Sequence, residues 1–160
     1  MTEVLHLPDI LLGLTLEAGL RGLRVIRFTS IAPPQQSPGP TVLLAERQLR
    51  EYLKGDRELF DIPLDPEGTP FQLEVWRALS AIPYAETRSY RDIAVAVNRP
   101  KGFQAIGQAN TSNPLPVIVP CHRVINADGS LGGYGGGLER KKILLELERR
   151  HAQRFRETAA

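Results

Sequence analysis

The stretch Asn113-Pro114-Leu115-Pro116-Val117-Ile118-Val119-Pro120-Cys121-His122-Arg123-Val124 decides how this chain is read. It holds the only cysteine, with His122 and Arg123 directly after it. Pro114, Pro116 and Pro120 each fix φ and remove a backbone donor, so a helix is excluded here. The short β-branched run Val117-Ile118-Val119 predicts a buried extended segment. A stiff arm would then deliver one thiol to a defined place. These residues leave two readings of Cys121 open. It is a small buried hydrophobe, as free cysteines commonly are, or a nucleophile with a histidine nearby.

The totals narrow the classes. A chain of 160 residues makes one domain or two small ones, with enough core to need no staples. One cysteine excludes a disulfide framework and a cysteine-rich zinc site. His6, His122 and His151 are too scattered to suggest ligands, so no metal and no cofactor is expected. A thiol kept free for chemistry points to a reducing compartment, the cytoplasm. No apolar run approaches the ~18 residues of a membrane span, and no basic-then-apolar leader opens the chain. No dimerisation heptad is visible, and a monomer is expected.

Charge is unevenly spread. Residues 1–68 carry seven basic and ten acidic side chains, a net −3; residues 69–160 carry thirteen and eight, a net +5. The second half is therefore the expected partner of nucleic acid, because phosphate neutralisation supplies most non-specific affinity.

The expected fold is an α/β N-terminal unit, a small sheet plus helix, over residues 1–68. A mostly α C-terminal domain with a helix-turn-helix follows over residues 69–160. In the first part, Leu11 to Phe28 predicts two strands joined by a turn. The proline-rich stretch Ile31 to Pro40 predicts a loop. Thr41 to Lys54 predicts an amphipathic helix with Leu43, Leu44, Leu49 and Leu53 inward and Gly55 ending it. Phe60, Ile62 and Leu64 suggest a last strand.

In the second part, Thr69, Pro70 and Gln72 form a capping-box start for a helix reaching Leu79. Trp76 lies on its apolar stripe, which favours a core role over a base-stacking one. Ser89 and Asp92 start the next helix, with Ile93, Ala94 and Val97 inward. A turn at Pro100 to Gly102 leads to a third, Phe103 to Asn110, completing a helix-turn-helix pattern. Ala105, Gly107 and Ala109 keep that helix slim. Leu131 to Gly137 is a glycine-rich loop without the lysine of a phosphate-binding P-loop. A final helix is expected over Leu138 to Arg150, its close Glu148-Arg149-Arg150-His151 matching the preference for cations there, with a frayed tail after it.

Beyond these residues lies a resemblance. PCHRV, at Pro120 to Val124, resembles the active-site motif of the O6-alkylguanine-DNA alkyltransferases, the methylated-DNA–protein-cysteine methyltransferases. The likeness extends through NPLPVIVPCHRVI, through GSLGGYGGG at Gly129 to Gly137, and through the helix ending near Glu148. FQLEVWRALSAIPYAETRSY, at Phe71 to Tyr90, resembles the start of the same domain. The likeness is strong from about Pro70 to Glu148 and weak before that.

The resemblance implies a repair protein acting on double-stranded DNA. It would move an alkyl group from O6 of guanine, with O4 of thymine a further target, to Cys121, irreversibly and once per molecule. A free thiol is only a few per cent ionised at neutral pH, and the resemblance implies a relay from Cys121 through water to His122 and on to Glu148. It assigns Tyr90 as the proton donor to the leaving base and Asn113 as the brace of the active-site backbone. The carbonyls of Cys121 and Val124 would accept from the guanine amine. Arg123, Tyr134, Gly135 and Gly136 fall with the base-binding residues, and Gln104 and Ala105 lie on the helix that would enter the minor groove.

Two departures stand out. Gln104 occupies the position where the family usually has an arginine that fills the hole left by the extruded base. Gly135 stands where some relatives have a small hydroxyl residue. Competing readings are a non-catalytic lesion sensor, which in this resemblance would carry tryptophan in place of Cys121, a helix-turn-helix regulator, and a thiol hydrolase.

Overall fold

The structure, a computed structural model, describes residues 2–7, 12–29 and 38–158. Two compact units form, Met1–Glu67 and Gly68–Ala160.

The first unit is a three-stranded antiparallel sheet with one helix on it. Strand β1 (Thr2–Leu7) pairs with β2 (Leu12–Ala18), and β2 pairs with β3 (Leu23–Thr29), in the order β1-β2-β3. In the register, Leu5 is the backbone partner of Leu14, and Leu14 that of Phe28. The β2–β3 turn closes through Gly19 N–H to the Gly22 carbonyl at 2.9 Å. Gly22 sits at φ +155, where a Cβ would lie 2.4 Å from the Pro63 carbonyl oxygen, so only glycine fits. The predicted hairpin is present, and β1 is an additional strand. The predicted loop at 31–40 lies outside the described residues up to position 37.

Helix α1 (Pro40–Leu53) packs on the sheet, but with a face rotated from the expected one. Val42, Ala45, Leu49 and Tyr52 are buried, whereas Leu43 is 50% exposed. Gln48 decides the rotation. It is buried and exchanges two hydrogen bonds with the backbone of Asp61, at 3.1 and 2.8 Å. The expected strand at Phe60 to Leu64 is only an isolated bridge between Leu23 and Leu64. Pro63 and Pro66 have no N–H to extend a ladder.

The second unit is helical. Helix α2 (Pro70–Ser80) and helix α3 (Tyr90–Ala96) both begin with complete capping boxes, Thr69/Gln72 and Ser89/Asp92. Such a box satisfies two orphan amides at each start. Helix α4 (Phe103–Thr111) packs on both. Trp76 is core: its Nε1 donates to the Ala109 carbonyl at 2.8 Å and ties α2 to α4. Strand β4 (Arg88–Ser89) pairs in parallel with β5 (Val124–Ile125).

Two expectations fail in this unit. Val117 to Val119 is not extended; it is a run of turns. The Asn113 side chain accepts from Leu115 N–H at 2.9 Å and donates to the Val119 carbonyl at 2.8 Å, folding the segment back on itself. Val117 is held there at φ 75, a conformation that costs a β-branched residue strain. The last helix, α5 (Leu138–Thr158), does not stop at Arg150. Phe155 meets the Tyr84 ring edge-on at 5.3 Å, which anchors the added turns. The cation near its end is Arg156 rather than the Arg149–Arg150 pair.

Candidate active site

Cys121 opens a single 3-10 turn, Cys121–Arg123, directly before β5. Pro120 precedes it, and the Asn113 fold-back sets where the turn begins. The thiol is 4% exposed. Burial pushes it up to about 11, against a lowering influence of the Asn113 side chain. At neutral pH it therefore rests protonated and must lose its proton to react.

His122 is fully buried. Its Nε2 lies 2.7 Å from Glu148 Oε2. A carboxylate accepts only, so Nε2 carries the hydrogen and Nδ1 keeps its lone pair. Nδ1 is buried and has no hydrogen-bond partner among the described residues, the Cys121 sulfur included. Burial holds the imidazole below its ordinary pKa, with Glu148 pulling the other way. His122 is thus a neutral base with its acceptor nitrogen unspent.

Glu148 projects from α5 into the interior and is fully buried. Burial would raise its pKa, but His122 and Arg123 outweigh it and hold the carboxyl well below the usual range. Arg123 donates to both carboxylate oxygens, at 2.8 and 2.9 Å, and to the Ile82 carbonyl at 2.7 Å. It also lies over the Tyr84 ring at 5.6 Å. This corrects the expected base-binding role of Arg123. Its fork is spent inside the protein, where it keeps Glu148 ionised. The bidentate geometry is one a lysine could not reproduce.

The two backbone acceptors expected for the base differ. The Cys121 carbonyl accepts from Val124 N–H and, at a long 3.4 Å, from Asn110 Nδ2. The Val124 carbonyl, in the strand after the cysteine turn, accepts from Lys141 Nζ at 2.6 Å.

Lys141 and Asn110 are residues that sequence reasoning missed. Lys141 is fully enclosed. Its ammonium donates to the carbonyls of Val124, Leu131 and Gly133, the last at 3.1 Å. It thereby ties the glycine loop to the strand that follows the cysteine. Burial pulls it down to about 8, and the nearby Cys121 opposes that shift. Lys141, Leu144 and Glu148 are spaced three and four apart, so one helix face joins them, and that spacing is a signal a sequence reader could use. Asn110, near the end of α4, is buried, with its side chain donating to the carbonyl of the cysteine turn.

The loop from Leu131 to Gly137 closes beside these groups. Gly132, at φ 69, would bring a Cβ to 3.2 Å from the Tyr90 ring. Tyr90 is half-buried and its hydroxyl lies 3.5 Å from the Gly133 carbonyl, to which it donates. Burial, and then Cys121, raise its pKa, as they do for Tyr134, so both phenols stay protonated. Gly135 is exposed, with the Thr111 carbonyl 3.3 Å from where a Cβ would sit, and the Gly136 carbonyl accepts from Arg140 at 3.0 Å. Gln104 and Ala105 are exposed on the outer side of α4. The structure therefore gathers Cys121, His122, Glu148, Asn113, Tyr90 and Tyr134 in one unit.

A family model for the 6-O-methylguanine DNA methyltransferase, DNA binding domain, matches residues 70–150, which hold every one of these groups. The chain belongs to this family. It is similar to the methylated-DNA–protein-cysteine methyltransferase of Methanosarcina barkeri, 54% identical over 104 residues, covering 65% of this chain and 66% of that one. The constitutive enzyme of that name in Bacillus subtilis is 53% identical over 111 residues, covering 69% and 67%. The chain thus spans about two-thirds of the length of the curated relatives it matches. Mycobacterium tuberculosis OGT in complex with DNA superposes with a TM-score of 0.84 at 43% identity, covering 94% of this chain and 93% of that one. The relatives' names state methyltransferases that act between methylated DNA and a protein cysteine.

Proposed function

We propose that this protein repairs double-stranded DNA by moving the alkyl group on O6 of guanine to Sγ of Cys121, once per molecule. The observation that carries the proposal is the buried thiol followed by a neutral His122, with Nδ1 unspent and Nε2 on an ionised Glu148. The Cys121 proton passes through one water to Nδ1, and the Glu148–Arg123 pair steadies the imidazolium that results. Sulfur then bonds to the alkyl carbon as the carbon–O6 bond breaks. Electrons from that bond flow into the guanine ring, which takes a proton from the Tyr90 hydroxyl; Tyr90 regains a proton from solvent as the His122 imidazolium releases its own, so the thiol proton ends, in net, on guanine. The product is a thioether and guanine. Nothing in the site regenerates the thiol, so the protein is consumed.

Reaching O6 requires the nucleotide to leave the stack, at a cost of a few kcal/mol. α3, the turn at 97–102 and α4 serve as the helix-turn-helix, with the exposed side of α4 toward the minor groove. The Val124 carbonyl, the Tyr134 ring and the backbone of Gly135 and Gly136 receive the base. A net positive charge over residues 69–160 suits phosphate contact. A reducing compartment and a monomeric state fit a lone reactive thiol.

The test is a titration of a duplex carrying O6-methylguanine. Restored guanine should plateau at one per protein, and the Cys121→Ser variant should restore none. Turnover beyond one, or repair by the serine variant, overturns the proposal.

A further inference from the structure

Extrusion of a base leaves a gap in the stack that the duplex closes quickly unless something fills it. Gln104, on the exposed side of α4, is neutral and carries no planar fork. Directly before it stands Phe103, the first residue of α4, which is 47% exposed although it is a large apolar ring. Phe103, Gln104 and Gly107 border one open cavity together with Tyr90 and Gly133, so the ring flanks the same opening as the site's phenol and glycine loop.

Gly107 adds an independent observation. It lies one turn after Phe103, inside a helix, where glycine costs about 1 kcal/mol relative to alanine. A Cβ there would meet nothing within 4 Å, so internal packing does not require the glycine. Its bareness serves an approach from outside. The result is an exposed ring with a slot beside it on the face where a duplex would lie. Apolar wedges inserted between base steps are a known way to hold a duplex open, and aromatic stacking on a base contributes roughly 1–3 kcal/mol.

We propose that Phe103 is the wedge that enters the stack when the alkylated nucleotide leaves it, with Gln104 hydrogen-bonding the orphaned partner base and Gly107 admitting the sugar-phosphate backbone. The proposal rests on the alkyl-transfer reading given above. It assigns to an apolar ring the filling of the gap at this site.

The test compares transfer to a duplex with transfer to the same strand unpaired, both carrying O6-methylguanine, for the wild type, Phe103→Ala and Phe103→Trp. A single strand needs no opening, so the ratio of duplex to single-strand rates isolates the wedge. Phe103→Ala should lower that ratio about tenfold, and Phe103→Trp should keep it within about twofold of the wild type. An unchanged ratio in Phe103→Ala overturns the wedge, whether both rates hold or both fall together. A wild type that transfers to neither substrate overturns the alkyl-transfer reading itself, and the wedge falls with it.

Discussion

At the scale of single residues, the chemistry depends on which charges are spent inside the protein. Glu148 is fully buried and answers two partners at once, His122 and Arg123. Removing its charge while keeping its shape, as in Glu148→Gln, leaves Arg123 without a counter-ion and His122 without a charged orienter. The expected result is a transfer rate lower by about 10²-fold and a stability loss of about 3 kcal/mol, the usual cost of orphaning a buried ion. Single-turnover rates and denaturant unfolding check the two halves separately, and an unchanged rate removes Glu148 from the relay. Because its folded pKa is depressed, the stability it contributes is present above the ordinary carboxylate pKa of ~4.3 and is lost as pH falls below that. The sequence made Cys121, His122, Asn113, Tyr90 and Glu148 legible as a set only through resemblance. The burial of Glu148 was not legible, since a charge on a helix looks solvated until its partners, 25 and 26 positions away, are brought to it. The inward pairing of Arg123 is hidden for the same reason: adjacency to the cysteine says nothing about the carboxylate it meets.

At the scale of elements, local signals are legible in this sequence and long-range contacts are not. The capping boxes of α2 and α3 are written in four residues each, and both formed as the spacing predicts. The segment after Asn113 misled because prolines exclude a helix without choosing between strand and turn. The choice was made by the Asn113 side chain, which the pattern of apolar residues does not register. The true end of α5 depends on Phe155 meeting Tyr84, a contact across 71 positions of sequence that no periodicity reports. α4 carries this scale's prediction. Gln104 is exposed and uncharged on its outer side, so Gln104→Arg should tighten duplex binding and speed transfer several-fold, with a steeper loss of affinity as salt rises. Binding titrations at two salt concentrations measure this, and a variant that gains in neither affinity nor rate contradicts it.

At the scale of the whole molecule, every group of the gathered site described above lies in the helical unit, Gly68–Ala160. The difference in charge between residues 1–68 and 69–160 was legible from composition alone and falls the same way. β1 and the Gln48–Asp61 lock were not legible, because the first is set by pairing and the second by a polar residue turned inward. The central claim is that the one sulfur in this cysteine turn becomes the final home of the alkyl carbon. Intact-mass measurement after incubation with an O6-methylguanine duplex tests it most directly. The account predicts a gain of one methylene unit per protein, saturating at one and mapping by peptide fragmentation to Cys121; an unchanged mass, or the added unit on any other residue, would contradict it.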